Sequence, residues 1–418
     1  MKKINNNLFL INAILISGVI IFILICFTII NSPDKLIYDE RYFIVNLEKL
    51  FKSGFTINNL LYYKNQAPGP LFQIIYFFIF RIINLKYSII YIRLFNFLFF
   101  NLGIYFFLRI FHTPYCKLFW VKYFSIFSIP FIYPIFGIGL TESTSLFFIS
   151  LSIFSFFRKK NTINYLILII YSIALSLALI GRQTFLALVP FLILYILFSN
   201  FSSKKKVIFC LSTIVAITPL CFLIYFWKGI TPPDQSFVSG GTIFSYSFKN
   251  GLLGIGYSAI SFFILNATIL SNYFKPKPLA SSIIIAIILE FIVKLEFIPF
   301  GTIFNKYSNF NNWIQYLFPI LIISIAILYI YILFKLVLKS NKHYSYNNVF
   351  IILFNFAMTL TTFKVTHQFS SRYIAQFSFL HLNNDYDQEN NINYFAIFLI
   401  LIFGAMFGLY TLNSYYSL

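Results

Sequence analysis

The sequence predicts an all-α polytopic membrane protein, with residues 1–418 forming a single integral membrane domain. Hydrophobic residues make up 60% of the chain and charged residues only 10%, which excludes an ordinary soluble domain. Apolar stretches long enough to cross a bilayer as helices recur along the whole length. They are long runs, unlike the short alternating segments of a barrel, so the backbone is expected to satisfy its hydrogen bonds within helices.

The apolar runs predict about twelve transmembrane helices. The first, at 8–31, is too long for a signal-peptide core and lacks a small-residue cleavage site, so it is expected to remain uncleaved. The run 70–84 is too short to cross the membrane comfortably and is expected to lie in or dip into the outer leaflet. If it did cross the membrane, every later loop would be assigned to the opposite side. The other spans are predicted at 88–108, 118–138, 143–157, 163–180, 184–199, 207–226, 251–271, 279–298, 313–334, 347–363 and 393–412.

Positive charge sets the predicted topology, because cytoplasmic loops are rich in Lys and Arg. Lys2 and Lys3 place the N-terminus in the cytoplasm, and the net charge of +20 reflects this rule rather than binding to nucleic acid. Two outer loops follow, a first at 32–87 with juxtamembrane helices and a second at 227–250. The stretch 364–392 is placed outside as well, although 372–382 could instead form a short span.

Acidic residues are concentrated on the predicted outer face, which suggests chemistry there. They are Asp34, Asp39, Glu40, Glu48, Glu142, Asp234, Asp385, Asp387 and Glu389. The adjacent Asp39 and Glu40 fit a solvated juxtamembrane loop, but a carboxylate here could also accept a proton from a hydroxyl. Glu142 lies in the segment LTEST, where it could interact with free amides in the first turn of a helix or form a second acidic group on this face.

Two further segments carry positive charge on the same face. Arg182, followed by Gln183, interrupts a nearly continuous apolar stretch. It could lie in a two-residue turn between helices, which Gly181 supports. Because it breaks the positive-inside pattern, it could instead bind a partner such as a lipid-linked phosphate. His367 and Arg372 follow a late helix and are either interfacial anchors or anion ligands.

The second outer loop contains prolines and glycines within 227–241, and it could serve as a lid.

Six short motifs occur in an order that resembles one group of membrane enzymes. In that order they resemble polyprenyl-phosphate-sugar-dependent glycosyltransferases of the GT-C fold, most closely the dolichyl-phosphate-glucose alpha-1,2-glucosyltransferases. Glu142 stands where the family has Asp, the Asn of its RQTN motif is lost, and its late DNRHYTF segment is matched only loosely. The motifs are YDERYF, APGPLF, FGIGLTEST, GRQTF, WKGITPPDQS and HQFSSRYIAQF.

This resemblance implies transfer of a hexose, glucose being favoured, from a polyprenyl or dolichyl phosphate to a lipid-linked or polymeric glycan, with inversion. Asp39 would be the base, and Glu40 would support the acceptor or a divalent cation, Mg²⁺ or Mn²⁺. The donor phosphate would bind Arg182, Arg372 and His367. The acceptor side would be lined by Glu142, Gln183, Trp227 and Asp234.

Two alternative functions remain open. A polysaccharide polymerase or O-antigen-ligase-like enzyme would use diphosphate-linked glycans and arginines on the outer face, but it would usually have a larger late outer loop. A lipid or glycan transporter would call for internal repeats and broken helices with charges at mid-membrane, and no repeat is evident. The bacterial inner membrane is the favoured location, with the endoplasmic reticulum expected if the source is eukaryotic.

Overall fold

The computed structural model describes residues 2–63, 65–157, 164–239, 245–266, 276–293, 313–343, 346–366, 369–383 and 393–417. Regular structure in these residues is entirely helical, as the long apolar runs predict. The helices are α1 (Lys2–Ile30), α2 (Glu40–Ser53), α3 (Ile57–Leu61), α4 (Leu71–Ile82), α5 (Ile89–Leu108), α6 (Lys117–Ser125), α7 (Tyr133–Gly137), α8 (Thr141–Phe157), α9 (Tyr165–Gly181), α10 (Val189–Phe198), α11 (Ser203–Trp227), α12 (Phe248–Leu265), α13 (Pro276–Val293), α14 (Trp313–His343), α15 (Tyr346–Leu360), α16 (Arg372–Ala375) and α17 (Tyr394–Tyr416).

Six helices in the described part of the chain are long and apolar enough to cross a membrane. A seventh crossing would need Lys117–Ser128 and Pro130–Gly137 to act together, and these are bent by 81° where Pro130 cannot donate a helical hydrogen bond. Several other predicted spans are apolar helices of only 10–17 residues. A helical membrane protein is therefore confirmed, whereas a count of about twelve spans is not. The six are Asn7–Ile30, Ile89–Leu108, Ser203–Trp227, Phe248–Leu265, Leu317–Leu338 and Tyr394–Tyr416.

One end of the bundle gathers the segments that the sequence places on the outer face. Here α1 and α9 end and α5 and α8 begin; we call it the first-loop end, because the first outer loop docks on it. Arg93 in α5 donates to the Ser32 hydroxyl, and the Gly139 amide before α8 donates to Glu40. Behind this end α8 packs between α5 and α9, so the helix starts and ends that carry polar residues are held side by side.

The first outer loop is fastened to the bundle at its Pro-Gly-Pro turn. The Tyr63 hydroxyl donates to the Pro68 carbonyl, which fixes the turn. A Cβ atom at Gly69 would lie 1.8 Å from the Ile180 carbonyl oxygen, so glycine permits the turn to touch the last residues of α9. The helix that follows, α4, has 12 residues, too few to span a bilayer. The turn thereby lies directly against the segment that ends in Arg182.

Residues 369–383 form what we call the inserted segment, which begins at the first-loop end and enters the bundle. Phe377 and Leu380 are buried, and the Phe379 ring packs edge-on against Phe107, near the far end of α5. The His381 carbonyl accepts a hydrogen bond from Asn266, just beyond α12. The segment is therefore neither a surface helix nor a regular span. Irregular backbone is tolerated at such depth when protein surrounds it.

The inserted segment changes the direction of the last helix. The Tyr416 hydroxyl at the end of α17 donates to the Gly137 carbonyl, and its ring lies against the Arg93 guanidinium. The helix therefore ends at the first-loop end, and the prediction that 393–412 begins there is wrong. The reason is that residues 369–383 carry the chain into the bundle before α17 starts. Three acidic residues predicted outside lie beyond the described residues: Asp385, Asp387 and Glu389.

Candidate functional site

The first element of the site is a fully buried ion pair between Glu40 and Arg93. Two guanidinium nitrogens of Arg93 donate to the two carboxylate oxygens, at 2.9 and 2.7 Å, and both side chains have 0% exposure. The backbone amides of Ile37 and Gly139 donate to the same carboxylate, at 2.9 and 2.6 Å. Both oxygens of Glu40 are thus occupied by protein donors, so the carboxylate joins the first outer loop to α5 and the approach to α8.

Arg93 is a functional-site residue that the charge pattern alone does not predict, although the sequence contains a signal for it. It stands five residues into an apolar helix, and a charge near a span usually has a partner. Its remaining donors bind the Ser32 hydroxyl and the Pro33 and Lys35 carbonyls. The predicted role of Glu40 in holding an acceptor or a cation has no support in this geometry.

Asp39 differs from its neighbour, because consecutive residues at a helix start point in directions about 100° apart. Its side chain is 37% exposed, and Oδ2 accepts a hydrogen bond of 2.6 Å from Nη2 of Arg372. Nε of Arg372 donates to the Ser370 hydroxyl at 3.2 Å. A half-exposed carboxylate and a partly exposed guanidinium thus meet at the first-loop end, although 333 positions separate them in the chain.

A second, more buried pair lies beside the first. Nη2 of Arg182 donates to Oε1 of Glu142 at 2.9 Å, with side-chain exposures of 11% and 4%. Nε of Arg182 donates to Gln376 at 3.0 Å, and Gln376 lies one helical turn beyond Arg372 in the inserted segment. Gln376 therefore links the second pair to the segment that carries the first.

The two pairs form one electrostatic unit, which we call the carboxylate–arginine tetrad: Asp39, Glu142, Arg182 and Arg372. Burial lowers the pKa of Arg372, but the charges of Glu142 and Asp39 raise it more, and the pKa ends above its ordinary value. The guanidinium is thus permanently charged. The pKa of Tyr373 is raised by burial, and all four members of the tetrad also act on it. With two positive and two negative groups, the tetrad has a formal charge of zero.

Buried polar atoms without a partner lie in the same segments. In the part of the chain that the structure describes, neither Oε2 of Glu142 nor the hydroxyl of Thr141 makes a hydrogen bond. The hydroxyl of Thr184, two residues after Arg182, is likewise unpaired within the described residues. Such groups are costly to bury unsatisfied, so a polar ligand or water is expected to complete them. Glu142 would accept from a ligand hydroxyl.

The remaining predicted site residues do not all lie at the tetrad. Gln183 donates to the Ala67 carbonyl at 3.3 Å and so ties the first loop to the tetrad. Trp227 is buried against Tyr63 and donates to the Leu61 carbonyl, which is a structural contact. Asp234 is exposed, and no bond joins it to the tetrad among the described residues. His367 lies outside the described residues.

The arrangement of the described carboxylates does not by itself support the predicted divalent cation. Among the described residues, no three His, Cys, Asp or Glu side chains converge on a point that could hold a metal ion. Each carboxylate of the tetrad instead pairs with a guanidinium through one of its oxygens. The tetrad offers three other capabilities: binding of an oxyanion, proton acceptance at Asp39, and acceptance of a ligand hydroxyl at Glu142.

Comparisons with known proteins found no significant relative of this chain. No family model matches the chain, and neither the curated proteins nor the solved structures contain a significant match. The resemblance to the alpha-1,2-glucosyltransferases therefore stays a prediction, and the case for any function rests on the residues and their geometry.

Proposed function

We propose that this chain is a membrane glycosyltransferase. It transfers a hexose, glucose being favoured, from a polyprenyl or dolichyl phosphate to a lipid-linked or polymeric glycan. The observation that carries the proposal is the convergence of the tetrad: four charged side chains from distant segments meet at one end of a helical membrane protein. A half-exposed carboxylate paired with one guanidinium, with a second carboxylate–guanidinium pair close by, suits a reaction between a hydroxyl and a phosphate-activated sugar.

The chemistry is a single displacement. The acceptor oxygen attacks the anomeric carbon as Asp39 takes its proton, so one carbon–oxygen bond forms. The bond between the anomeric carbon and the phosphate oxygen breaks, and the prenyl phosphate leaves with that electron pair. Arg372 and Arg182 stabilise the added negative charge of the leaving group. Attack opposite the leaving group inverts the anomeric configuration.

The lipid environment supports the same assignment. A polyprenyl donor has its phosphate at the bilayer surface, and the tetrad lies where helices of the bundle begin and end. Lys2 and Lys3 at the N-terminus place the opposite end in the cytoplasm by the positive-inside rule, so the first-loop end would face outward or into a lumen. The bacterial inner membrane is favoured, or the endoplasmic reticulum if the source is eukaryotic.

The test is transfer by the purified protein in lipid nanodiscs. Polyprenyl-phosphate-glucose and polyprenyl-phosphate-mannose would be supplied with a panel of lipid-linked glycans, and products would be identified by mass spectrometry and by NMR of the anomeric proton. We expect transfer that Asp39→Asn abolishes. Asp34→Asn, which removes the same charge from an exposed position in the same loop, is the matched control.

Two outcomes would contradict the proposal. Transfer that survives Asp39→Asn would remove Asp39 as the base. Activity with diphosphate-linked glycans, and none with any monophosphate donor, would favour a polymerase or ligase instead.

A further inference from the structure

The two ion pairs of the tetrad differ in how easily a ligand could reach them. Glu142 and Arg182 are nearly buried, and Gln376 holds the guanidinium from a second side. Asp39 and Arg372 are 37% and 19% exposed, and the Arg372 guanidinium also donates to the Ser370 hydroxyl. Solvent weakens an exposed pair, whereas a buried pair is costly to break. The Asp39–Arg372 pair is therefore the exchangeable one.

The roles proposed for these two residues conflict while they are bound to each other. The hydrogen bond from the guanidinium occupies Oδ2 of Asp39, the same oxygen that an acceptor hydroxyl would approach. The same contact places a negative group where the phosphate of a donor would have to bind Arg372. Oδ2 of Asp39 can take a proton, and Nη2 of Arg372 can bind a phosphate, only after their hydrogen bond of 2.6 Å is broken.

We propose that the phosphate of a prenyl-linked donor displaces Asp39 from Arg372, so that the ion pair keeps the base inactive until the donor is bound. This inference rests on the proposed function and specifies its order: the donor binds before the acceptor can be deprotonated. The permanent charge of Arg372 suits the exchange, because one anion simply replaces another. An acceptor that enters first meets a carboxylate already engaged by a guanidinium.

The exchange also accounts for the end of the cycle. Asp39 is protonated after transfer and cannot compete for Arg372, which holds the departing prenyl phosphate. When Asp39 passes its proton to water, its carboxylate is again an anion beside Arg372. Re-forming the pair then helps to expel the product phosphate.

A binding measurement with decaprenyl monophosphate in nanodiscs tests this directly. Wild type and Asp39→Asn would be compared by microscale thermophoresis. Because an exposed ion pair is weak, we expect the amide variant to bind about two- to fivefold more tightly, even though it cannot catalyse transfer. Asp34→Asn should leave the affinity unchanged, which separates direct competition from a general loss of negative charge.

Two further arms complete the experiment. The tightening should disappear in the double variant Asp39→Asn/Arg372→Gln, because the competing group and its target are both gone. Inorganic phosphate in place of the prenyl phosphate distinguishes a lipid ligand from free anion: equal competition by millimolar phosphate would overturn the assignment to a lipid. Asp39→Ser provides a second removal of the carboxylate if the asparagine variant fails to fold.

The outcomes separate this inference from the proposed function. If Asp39→Asn abolishes transfer but its affinity for the prenyl phosphate is unchanged or weaker, the exchange is refuted. The role of Asp39 as the base would still stand. If Asp39→Asn keeps transferring sugar and binds the prenyl phosphate more tightly, Asp39 is not the base. Its competition with the phosphate for Arg372 would still stand. An effect of equal size in Asp34→Asn would also refute the exchange.

Discussion

Two adjacent carboxylates have opposite surroundings in this protein. Glu40 is fully buried and accepts from two nitrogens of Arg93 and two backbone amides, whereas Asp39 is half-exposed and accepts from one nitrogen of Arg372. Their charge is the same and their chain position differs by one. Adjacent carboxylates can therefore have separate roles: Glu40 holds the first loop in place, and Asp39 is accessible to a ligand.

Removal of Arg93 should have the largest effect. Arg93→Met leaves Glu40 charged and buried without its partner, which is expected to cost about 3–5 kcal/mol. The yield of folded protein and its unfolding temperature in detergent are the measurements. Glu40→Leu combined with Arg93→Met should recover part of the loss, because no uncompensated charge remains. Normal stability of Arg93→Met alone would show that the buried pair is not what fastens the first loop.

Asp39→Asn should have the second largest effect, and on transfer rather than on folding. Loss of a general base is expected to slow transfer by about 10²-fold or more, while the free energy of unfolding changes by about 1 kcal/mol or less, since the pair is partly exposed. Both quantities would be measured on the same preparation. A large fall in stability would assign Asp39 the same structural role as Glu40 and erase the contrast between them.

Lysine replacement of the arginines should separate the exposed pair from the buried one. Arg372→Lys keeps the charge but loses the second donor, so we expect about tenfold weaker use of the donor with little change in stability. Arg182→Lys should weaken donor use as well, and it should also lower the unfolding temperature because Gln376 and Glu142 lose a partner within the protein. Steady-state kinetics with varied donor, alongside thermal unfolding, would distinguish the two. Identical profiles would mean that exposure does not separate their roles.

Asp234→Asn should have the smallest effect. Its side chain is exposed in the second outer loop, and surface substitutions usually change stability by about 0.5 kcal/mol or less. We expect transfer within about twofold of wild type. A strong loss of transfer, together with normal folding, would show that the second outer loop approaches the tetrad during the reaction.

Much of the site was accessible from the sequence because charge is conspicuous in an apolar chain. Four charged residues stand out from the apolar sequence on one predicted face, and the structure brings them together. They are Asp39, Glu142, Arg182 and Arg372. Arg93 was overlooked because an arginine near the start of a span resembles an ordinary interfacial residue. The sequence predicts Trp227 as a substrate contact, whereas in the structure its side chain packs within the fold.

Hydropathy by itself determined that this is a helical membrane protein, and the sequence singled out four charged residues that the structure brings together. The reason is that bilayer thickness and the cost of burying charge act on each segment separately. Tertiary structure alone decided the partners: Glu40 binds Arg93, 53 positions away, and Asp39 binds Arg372, 333 positions away. It also decided the course of residues 369–383 and thus the direction of α17. Both depend on how helices pack and turn against one another, which no local pattern specifies.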